Sequence, residues 1–342
     1  MSSGEIGQEL ESFLNDSAVK ITVLGAGGAG NNTLDTLSER GVAGARLVAL
    51  NTDAQDLLDT NADNKVLLGR KLTKGLGAGN NPFVGEAAAR ESADEIRAGI
   101  GESDLVFVVG GLGGGTGGGT LPVVGEIARQ QGILTIGIVS LPFQMEGQRR
   151  WDNAMGSLRK LEENVDALIV LPNEKLMKHA QDLPLHQAFK MSDNVSAQAL
   201  KGIIELITLP GIVNLDFSDI KAVLKDSGVA VIGVGESDTL NRATECVQAA
   251  LGNPLIEANL RGATGALINV TSGPDMTLSQ AQHVIEEVRK ALTDNAKIIW
   301  GTQLDPEMHG KIRVLVVITG LSSKAMVDSH AEDGFVQIDE LI

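Results

Sequence analysis

The chain has 342 residues, 43% of them hydrophobic, a size and composition typical of a globular protein with two packed domains. Its 28 basic and 44 acidic residues give a formal charge of −16, which argues against a nucleic-acid partner because phosphate backbones are bound by clustered Lys and Arg. The single cysteine, Cys246, excludes internal disulfides and fits a cytoplasmic location, and no apolar run reaches the roughly 18 residues of a membrane span.

The first half of the chain alternates short Val/Ile/Leu-rich runs with helical patterns. This alternation predicts an α/β fold with a parallel sheet covered on both faces. The predicted strands are 20–24, 46–50, 65–68, 105–109, 133–140 and 167–171. The predicted helices are one that ends near Gly41, then 84–98, 121–131 and 147–163.

Three glycine-rich segments, 25–30, 75–79 and 110–119, each follow a predicted strand. Ligands of parallel sheets bind at the carboxyl ends of the strands, so these segments should lie together at one edge. Glycines leave backbone N–H groups free to face an anion at the start of a helix, whose dipole favours negative charge. We interpret the segments as a phosphate site rather than as flexible linkers, because 110–119 lies between a buried strand and an apolar helix.

The spacing of Gly25, Gly27 and Gly30 after a strand also matches the dinucleotide fingerprint, and Asp53 could bind a ribose. An NAD-dependent oxidoreductase is therefore one alternative, although it leaves 110–119 unexplained. The chain has no P-loop motif, so backbone N–H groups, Thr hydroxyls and a cation such as Mg²⁺ would have to meet the phosphate charge. Three glycine-rich loops at one edge fit a tri- or diphosphate better than the single pyrophosphate-binding turn of a dehydrogenase does.

The second half begins with a long helical pattern, 185–207, that is apolar on more than one face. A loop, 210–219, then starts a new helix with Ser218 as a candidate cap. The remaining predicted strands are 229–234, 266–271, 297–300 and 312–318, with helices 240–251 and 278–292. These elements predict a smaller α+β domain without a phosphate site of its own.

Eight motifs between about residues 19 and 322 resemble the tubulin/FtsZ GTPase family, and within it the archaeal FtsZ proteins most. They are GAGGAGNN at 25, NTDAQ at 51, TKGLGAGNNP at 73, GLGGGTGGGTLPVV at 111, LPFQMEGQRR at 141, LPNEKL at 171, AFKMSDNV at 188 and NLDFSDIKAV at 214. The resemblance implies an N-terminal extension (1–18), a GTP-binding domain (19–184), a central helix with catalytic loop (185–220), a C-terminal domain (221–322) and a short tail (323–342).

The resemblance also implies a set of residues that bind GTP or GDP. Glu146 and Arg150 would flank the ribose, Phe189 would stack on guanine, and Asn32 and Asp193 would read the guanine edge. A carboxylate suits that edge because it accepts from guanine N1–H and N2–H₂, a donor pair that adenine lacks. The other implied binding residues are Gly27, Gly28, Asn31, Asn51, Asp53, Gly77, Ala78, Gly79, Asn80, Gly114, Gly115, Thr116, Gly117 and Gly118.

Asp216, Asp219 and Asn214 are the implied catalytic residues. The carboxylates of Asp216 and Asp219 can orient a water or help to hold a cation. A helix of 23 residues from Asp193 to Asp216 would span over ~30 Å, too far for these acids to serve their own chain's nucleotide. The resemblance resolves this: the loop enters the nucleotide site of the next subunit in a head-to-tail filament. The five histidines show no metal-ligand spacing, so no protein metal site is expected. Mg²⁺, with K⁺ as a second candidate, would accompany the nucleotide.

By resemblance, the chain is a GTP-hydrolysing cytoskeletal protein of the division ring, located in the cytoplasm at the division site. Its implied partners are further copies of itself and a membrane-anchoring adaptor of unknown identity, with no direct membrane insertion. Two departures stand out. Gly118 replaces a Thr of the family's usual GGGTGTG, which leaves a non-hydrolysing GTP-binding scaffold as an alternative, and the tail lacks the terminal peptide typical of bacterial members.

Overall fold

The computed structural model describes residues 18–174, 184–209, 211–213, 215–252 and 260–321. The strands are β1 (Ile21–Ala26), β2 (Ala45–Asn51), β3 (Asn64–Leu67), β4 (Leu105–Gly111), β5 (Leu134–Leu141), β6 (Ala167–Pro172), β7 (Gly228–Ser237), β8 (Gly265–Ser272), β9 (Lys297–Leu304) and β10 (Ile312–Leu321). The helices are α1 (Gly27–Glu39), α2 (Ala54–Asp59), α3 (Pro82–Glu91), α4 (Ala93–Ile100), α5 (Gly115–Gln130), α6 (Gln148–Glu162), α7 (Leu185–Thr208), α8 (Phe217–Leu224), α9 (Arg242–Leu251) and α10 (Leu278–Lys290).

All ten strands form one sheet in the order β3-β2-β1-β4-β5-β6-β7-β10-β8-β9. Every neighbouring pair is parallel except the two made by β10, which lies antiparallel between β7 and β8. The predicted fold class, a parallel nucleotide-binding sheet followed by a smaller mixed α+β region, is therefore confirmed. The two regions are joined where β6 pairs with β7. This pairing covers only three residue pairs, beginning at Ala167 and Gly228.

Helices cover both faces of the sheet, as the continuous apolar strands require. On one face, α1, α7 and α8 pack their buried leucines and isoleucines against the strands. On the other, α3, α4, α5 and α6 cover the first half of the sheet, and α9 and α10 cover the second. The long α7 packs on α1 and reaches β5, β8 and β9, which accounts for its apolar residues on more than one face.

Three local predictions differ from the structure. The helix predicted at 84–98 is broken at Ser92, whose Oγ accepts a hydrogen bond from the Gly69 N–H at 3.0 Å. The helix predicted to begin at residue 121 begins six residues earlier, so its first turns are built largely of glycine. Asp216, not Ser218, caps α8, because its carboxylate accepts from the Ser218 N–H at 3.0 Å.

Candidate nucleotide-binding site

A cleft of about 510 Å³ opens at the carboxyl edge of the parallel strands, where the sequence predicts a ligand site. Eleven of the predicted residues line it: Gly27, Gly28, Asn32, Asn80, Gly114, Gly115, Thr116, Gly117, Glu146, Arg150 and Asp193. The other lining residues are Ala26, Ala29, Gly111, Leu112, Ser140, Leu141, Pro142, Asn173 and Ser192. The first turns of α1, α5 and α6 therefore meet in one cavity.

Two helices begin in the cleft without a side-chain cap. α1 follows Ala26 and α5 follows Gly114, neither of which donates or accepts a capping hydrogen bond, and neither first turn contains an acidic residue. The first N–H groups of a helix have no partner within the helix, and the helix dipole adds partial positive charge there. The cleft thus presents two positive helix ends to an anion.

The two helix starts lie against each other. A Cβ added to Gly27, which has a φ of +68°, would be 3.0 Å from the Gly117 nitrogen and 3.2 Å from the Thr116 Cβ. The Thr116 hydroxyl is held 2.7 Å from the hydroxyl of Thr52, which is fully buried at the end of β2. A side chain at position 27 would separate the two helix ends, so glycine is required for this close approach.

The opposite part of the cleft is polar and partly enclosed. Asp193, on α7, accepts a hydrogen bond from Asn32 on α1. Burial raises the pKa of Asp193 to about 6, against the lowering effects of the Asn32 hydrogen bond and of the Lys190 charge. Beside it, Ser192 Oγ donates to Asn173 Oδ1 at 2.6 Å, with both side chains buried. The carboxylate therefore titrates near the physiological range in a site that can accept a ligand's N–H groups.

Glu146 and Arg150 form an ion pair at the start of α6. Glu146 Oε1 also accepts from the Phe143 N–H at 2.9 Å, which fixes the carboxylate at the rim. Both residues line the cleft. Glu146 ends the 3₁₀ turn Gln144–Glu146 and Arg150 lies in the first turn of α6, so the pair is placed along the wall, where it suits contact with the middle of an elongated ligand.

Three of the predicted binding residues instead hold α2 in place. Asn31 and Asn51 donate from Nδ2 to Oδ2 of Asp56 at 3.2 and 2.5 Å. Asp53 caps α2, where its Oδ1 accepts from the Gln55 N–H at 2.9 Å. None of the three lines the cleft, so their carboxylate and amide groups support the wall behind α1.

Four more of the predicted residues are in the neighbouring loops but do not line the cleft: Gly77, Ala78, Gly79 and Gly118. Ala78 is buried against Gly115, whose added Cβ would lie 2.9 Å from the Ala78 Cβ. A Cβ at Gly118 would lie 2.7 Å from Ser157 Oγ on α6 and so points away from the cleft. The side chain of Phe189, and Asn214, lie outside the described residues.

The predicted catalytic acids are far from this cleft in the same chain. Asp216 and Asp219 are exposed at the start of α8. α7 continues for 15 residues from Asp193 to Thr208, about 22 Å of helix, before the loop that leads to them. That loop is tied to β9, since the Ile212 N–H donates to the Thr302 carbonyl at 3.1 Å.

Ser140, Asn173 and Ser192 line the cleft but are not among the residues predicted from the sequence. Ser140 lies near the end of β5 and Asn173 directly follows β6, so the rule that ligands bind at strand ends could have found both. Ser192 precedes Asp193, but only the fold shows that it faces Asn173. Among the described residues, no group of three or more His, Cys, Asp or Glu side chains is arranged to hold a metal ion.

The described part of the chain contains no helix long and apolar enough to cross a membrane.

Comparison with known proteins supplies the family context of the cleft. The family model "Tubulin/FtsZ family, GTPase domain" matches residues 20–181, and "FtsZ family, C-terminal domain" matches residues 228–322. The cell division protein FtsZ 1 of Thermococcus kodakarensis is 51% identical over 98% of this chain and 90% of its own length. An FtsZ dimer structure from M. jannaschii is 51% identical, with a TM-score of 0.88 over 94% of each chain. CetZ2 from Haloferax volcanii, at 22% identity and a TM-score of 0.80 over 94% of this chain and 99% of its own, shares the fold.

Proposed function

The chain belongs to the FtsZ family of tubulin-like GTPases, and we propose that its cleft at the carboxyl edge of the sheet is the GTP site. It is a GTP-binding and GTP-hydrolysing protein of cell division that associates with itself, as its family does. The observation that carries the assignment of the cleft is the meeting of two uncapped helix starts with one half-buried carboxylate. The helix starts suit phosphates, and the carboxylate suits guanine.

The nucleotide would lie along the cleft with its base at Asp193. In the ionised form, this carboxylate accepts from guanine N1–H and N2–H₂, and Asn32 holds it in place. Glu146 and Arg150 would contact the ribose, and the N–H groups at the starts of α1 and α5 would bind the phosphates. The Asp53 carboxylate caps α2, so it gives little support to a ribose-binding role. The oxidoreductase alternative depends on that role and has correspondingly little support.

Hydrolysis would require a second subunit. Asp216 and Asp219 are exposed and separated from their own chain's cleft by most of α7, so their carboxylates are available to another molecule. A head-to-tail contact that brings this loop to a neighbour's cleft repeats without closing, and so builds a filament. In this arrangement the acids orient the attacking water at the neighbour's terminal phosphate.

A cation would accompany the phosphates. The lining residues offer backbone N–H groups, amides and hydroxyls but only one cationic side chain, Arg150, which is already paired with Glu146. This donor set leaves phosphate charge to be neutralised, and Mg²⁺ suits phosphate oxygens and retained waters, with K⁺ as a second candidate. When bound, the cation would stabilise the charge that develops on the phosphates.

A cytoplasmic location at the division site, and a membrane-anchoring adaptor, complete the proposal. The family membership supports a place at the division site. A membrane-anchoring adaptor of unknown identity would attach the filament there.

GTP turnover measured across a range of protein concentrations tests this function. If the site is completed by a neighbour, specific activity rises with concentration until filaments, followed by light scattering, have formed. Asp216→Asn should bind GTP as the unchanged chain does, because its cleft is intact. It should lose most of its turnover, because it lacks the carboxylate that orients the attacking water. Bound GTP that persists in the unchanged chain at high concentration would instead favour a non-hydrolysing scaffold. Concentration-independent turnover would contradict the shared site.

A further inference from the structure

A carboxylate from a neighbouring helix lies beside the start of α1. A Cβ added to Gly28, in the first turn of α1, would be 3.9 Å from Oδ2 of Asp56 on α2. Gly28 lines the cleft, whereas Asp56 does not. The carboxylate is therefore behind the cleft wall, close to the helix end whose free N–H groups carry partial positive charge.

Two buried asparagines hold this carboxylate in place. Asn31 and Asn51, whose exposed fractions are 1% and 3%, both donate from Nδ2 to the same oxygen of Asp56. Asn31 belongs to α1 and Asn51 ends β2, so the oxygen is bonded from two different elements of the fold. The negative charge of Asp56 is thus fixed beside α1 and cannot turn freely to solvent.

The charge of Asp56 is not neutralised where it lies. The described partners of its carboxylate are two neutral amides rather than Lys or Arg. The one cationic side chain among the lining residues, Arg150, is itself paired with Glu146. A phosphate at the start of α1 would therefore be close to a negative charge that no described cation offsets.

The two helix starts in the cleft are consequently unequal. At Gly114, which precedes α5, no described residue has an atom within 4 Å of an added Cβ. At α1, by contrast, the partial positive charge attracts both Asp56 and an anion in the cleft. Resting on the GTP site proposed above, we propose that Asp56 opposes the phosphate charge of the nucleotide. It thereby limits the affinity for GDP, the product that must leave before another GTP binds.

The effect of Asp56 on binding has a moderate expected size, because the carboxylate acts through the wall rather than by contact. For charges roughly 8 Å apart, at an effective dielectric constant of about 40 and with screening by salt, loss of one charge changes an affinity about threefold. The change should depend on the phosphates of the ligand and decrease as the salt concentration rises. A purely structural role of Asp56 would have neither property.

Asp56→Asn is the direct test, because the new side chain keeps the shape and an oxygen that can accept from Asn31 and Asn51. Nucleotide-free protein would be titrated with GDP and with guanosine, in EDTA, at about 50 and about 500 mM KCl. We expect GDP to bind about threefold more tightly at the lower salt, with a smaller gain at the higher salt. The affinity for guanosine, which has no phosphate, should not change.

The other outcomes of this titration separate the two proposals. Weaker or unchanged GDP binding by Asp56→Asn would overturn the opposing role of the carboxylate, and so would an equal gain for guanosine. If the unchanged chain binds GDP no more tightly than guanosine, the proposed phosphate site fails instead.

Glu39→Gln is the matched control, because it removes the same charge at the other end of α1, about 16 Å of helix away from Gly28. It should bind GDP as the unchanged chain does. An equal gain in this variant would show that net charge, rather than the place of Asp56, sets the affinity.

Mg²⁺ provides a second measurement on Asp56→Asn. The gain in GDP affinity should be smaller with Mg²⁺ than with EDTA, because the cation neutralises part of the phosphate charge. If the variant binds GDP more weakly than the unchanged chain once Mg²⁺ is added, the proposal is overturned, since the carboxylate would then help to hold the cation.

Discussion

Asp193 is a lining residue of the cleft whose pKa is raised by burial. Its pKa of about 6 lies above the ordinary value of 3.8 because burial disfavours the charge. The folded chain therefore holds a proton that the unfolded chain releases between these values. Stability gained from this proton is complete below pH ~4 and is lost as the pH rises through about 6. At neutral pH the carboxylate is mostly ionised and can accept hydrogen bonds from guanine, but its buried charge lowers the free energy of unfolding.

The first prediction concerns the pH dependence of nucleotide binding. Since guanine bonds to the ionised carboxylate, the affinity for GDP should fall about tenfold between pH 7 and pH 5. The measurement is a titration of GDP at each pH. The side-chain amide of the variant Asp193→Asn cannot ionise, so the weaker affinity of this variant should be nearly constant over the same range. The same pH profile in both proteins would contradict the assignment of Asp193 to guanine.

A second prediction separates stability from function at the same residue. At pH 7, Asp193→Asn removes a buried charge and should stabilise the nucleotide-free protein by up to about 3 kcal/mol, at 1.36 kcal/mol per pKa unit. Denaturant unfolding at pH 7 and pH 4 checks this, because the gain should disappear where Asp193 is protonated. A gain of equal size at both pH values would point to a cause other than the charge.

Gly118 is the residue at which segment 110–119 departs from the family's usual GGGTGTG. The geometry around it predicts that a side chain at this position has little effect on nucleotide binding. An added Cβ points to Ser157 Oγ, not to the cleft. Gly118→Ala combined with Ser157→Ala should therefore bind GTP within about twofold of Ser157→Ala alone. It should also be more stable by up to about 1 kcal/mol, the helix propensity of Ala over Gly. Nucleotide titration and thermal unfolding of the two variants measure this, and a tenfold change in affinity would show that position 118 acts on the phosphates.

At the scale of the elements, the glycines of 110–119 serve two different purposes. Gly115 and Gly117 lie in the first turn of α5 and line the cleft. Gly119 does not line it: its added Cβ would overlap the Pro82 carbonyl oxygen and the Glu86 nitrogen. It is needed because α3 crosses α5 at backbone contact. The helix crossing thus places the start of α5 where the phosphates would bind.

Gly119→Ala should consequently destabilise the fold far more than Gly114→Ala does. At Gly119 the new Cβ would overlap two backbone atoms, which cannot move without separating the helices, so a loss of more than about 3 kcal/mol is expected. At Gly114 nothing lies within 4 Å of the new atom, and its φ of −80° suits alanine. Thermal unfolding of the two variants compares them. Equal melting temperatures would contradict the close crossing of α3 and α5.

These elements also show where sequence reasoning succeeds. The alternation of apolar runs and helical patterns predicts the parallel sheet, and the strand-end rule predicts the edge that carries the cleft. The sequence does not distinguish a glycine that exposes an N–H from one that permits a helix crossing, as Gly115 and Gly119 illustrate. Nor does it show that Asn31 and Asn51 turn to Asp56, since that depends on where α2 lies after folding.

At the scale of the whole molecule, a single ten-stranded sheet connects the cleft to the second half of the chain. α7 passes the cleft at Asp193 and ends beside the loop that precedes α8, and this loop is hydrogen-bonded to β9. The nucleotide site and the proposed catalytic acids are therefore parts of one folded unit. In the proposed head-to-tail filament they would face different neighbours, and each acid would lie at another subunit's cleft.

The net charge of −16 predicts that assembly depends on salt. Copies of an acidic protein repel one another, and this repulsion is screened within about 8 Å at physiological ionic strength. The protein concentration at which light scattering begins to rise should decrease as KCl is raised from about 20 to about 200 mM. Tetramethylammonium chloride at equal ionic strength is the control for a specific K⁺ site. A higher threshold concentration in both salts would contradict the role of charge repulsion.

Mixing two inactive variants tests the shared active site most directly. Asp216→Asn keeps its cleft but lacks the acid, and Gly114→Glu keeps the acid but places a carboxylate at the start of α5, where an added Cβ meets nothing within 4 Å. In a mixed filament, the intact acid of one variant meets the intact cleft of the other. The shared site predicts GTP turnover in the mixture well above the sum of the two separate rates. Turnover no greater than that sum, under conditions in which the two variants assemble together, would contradict it.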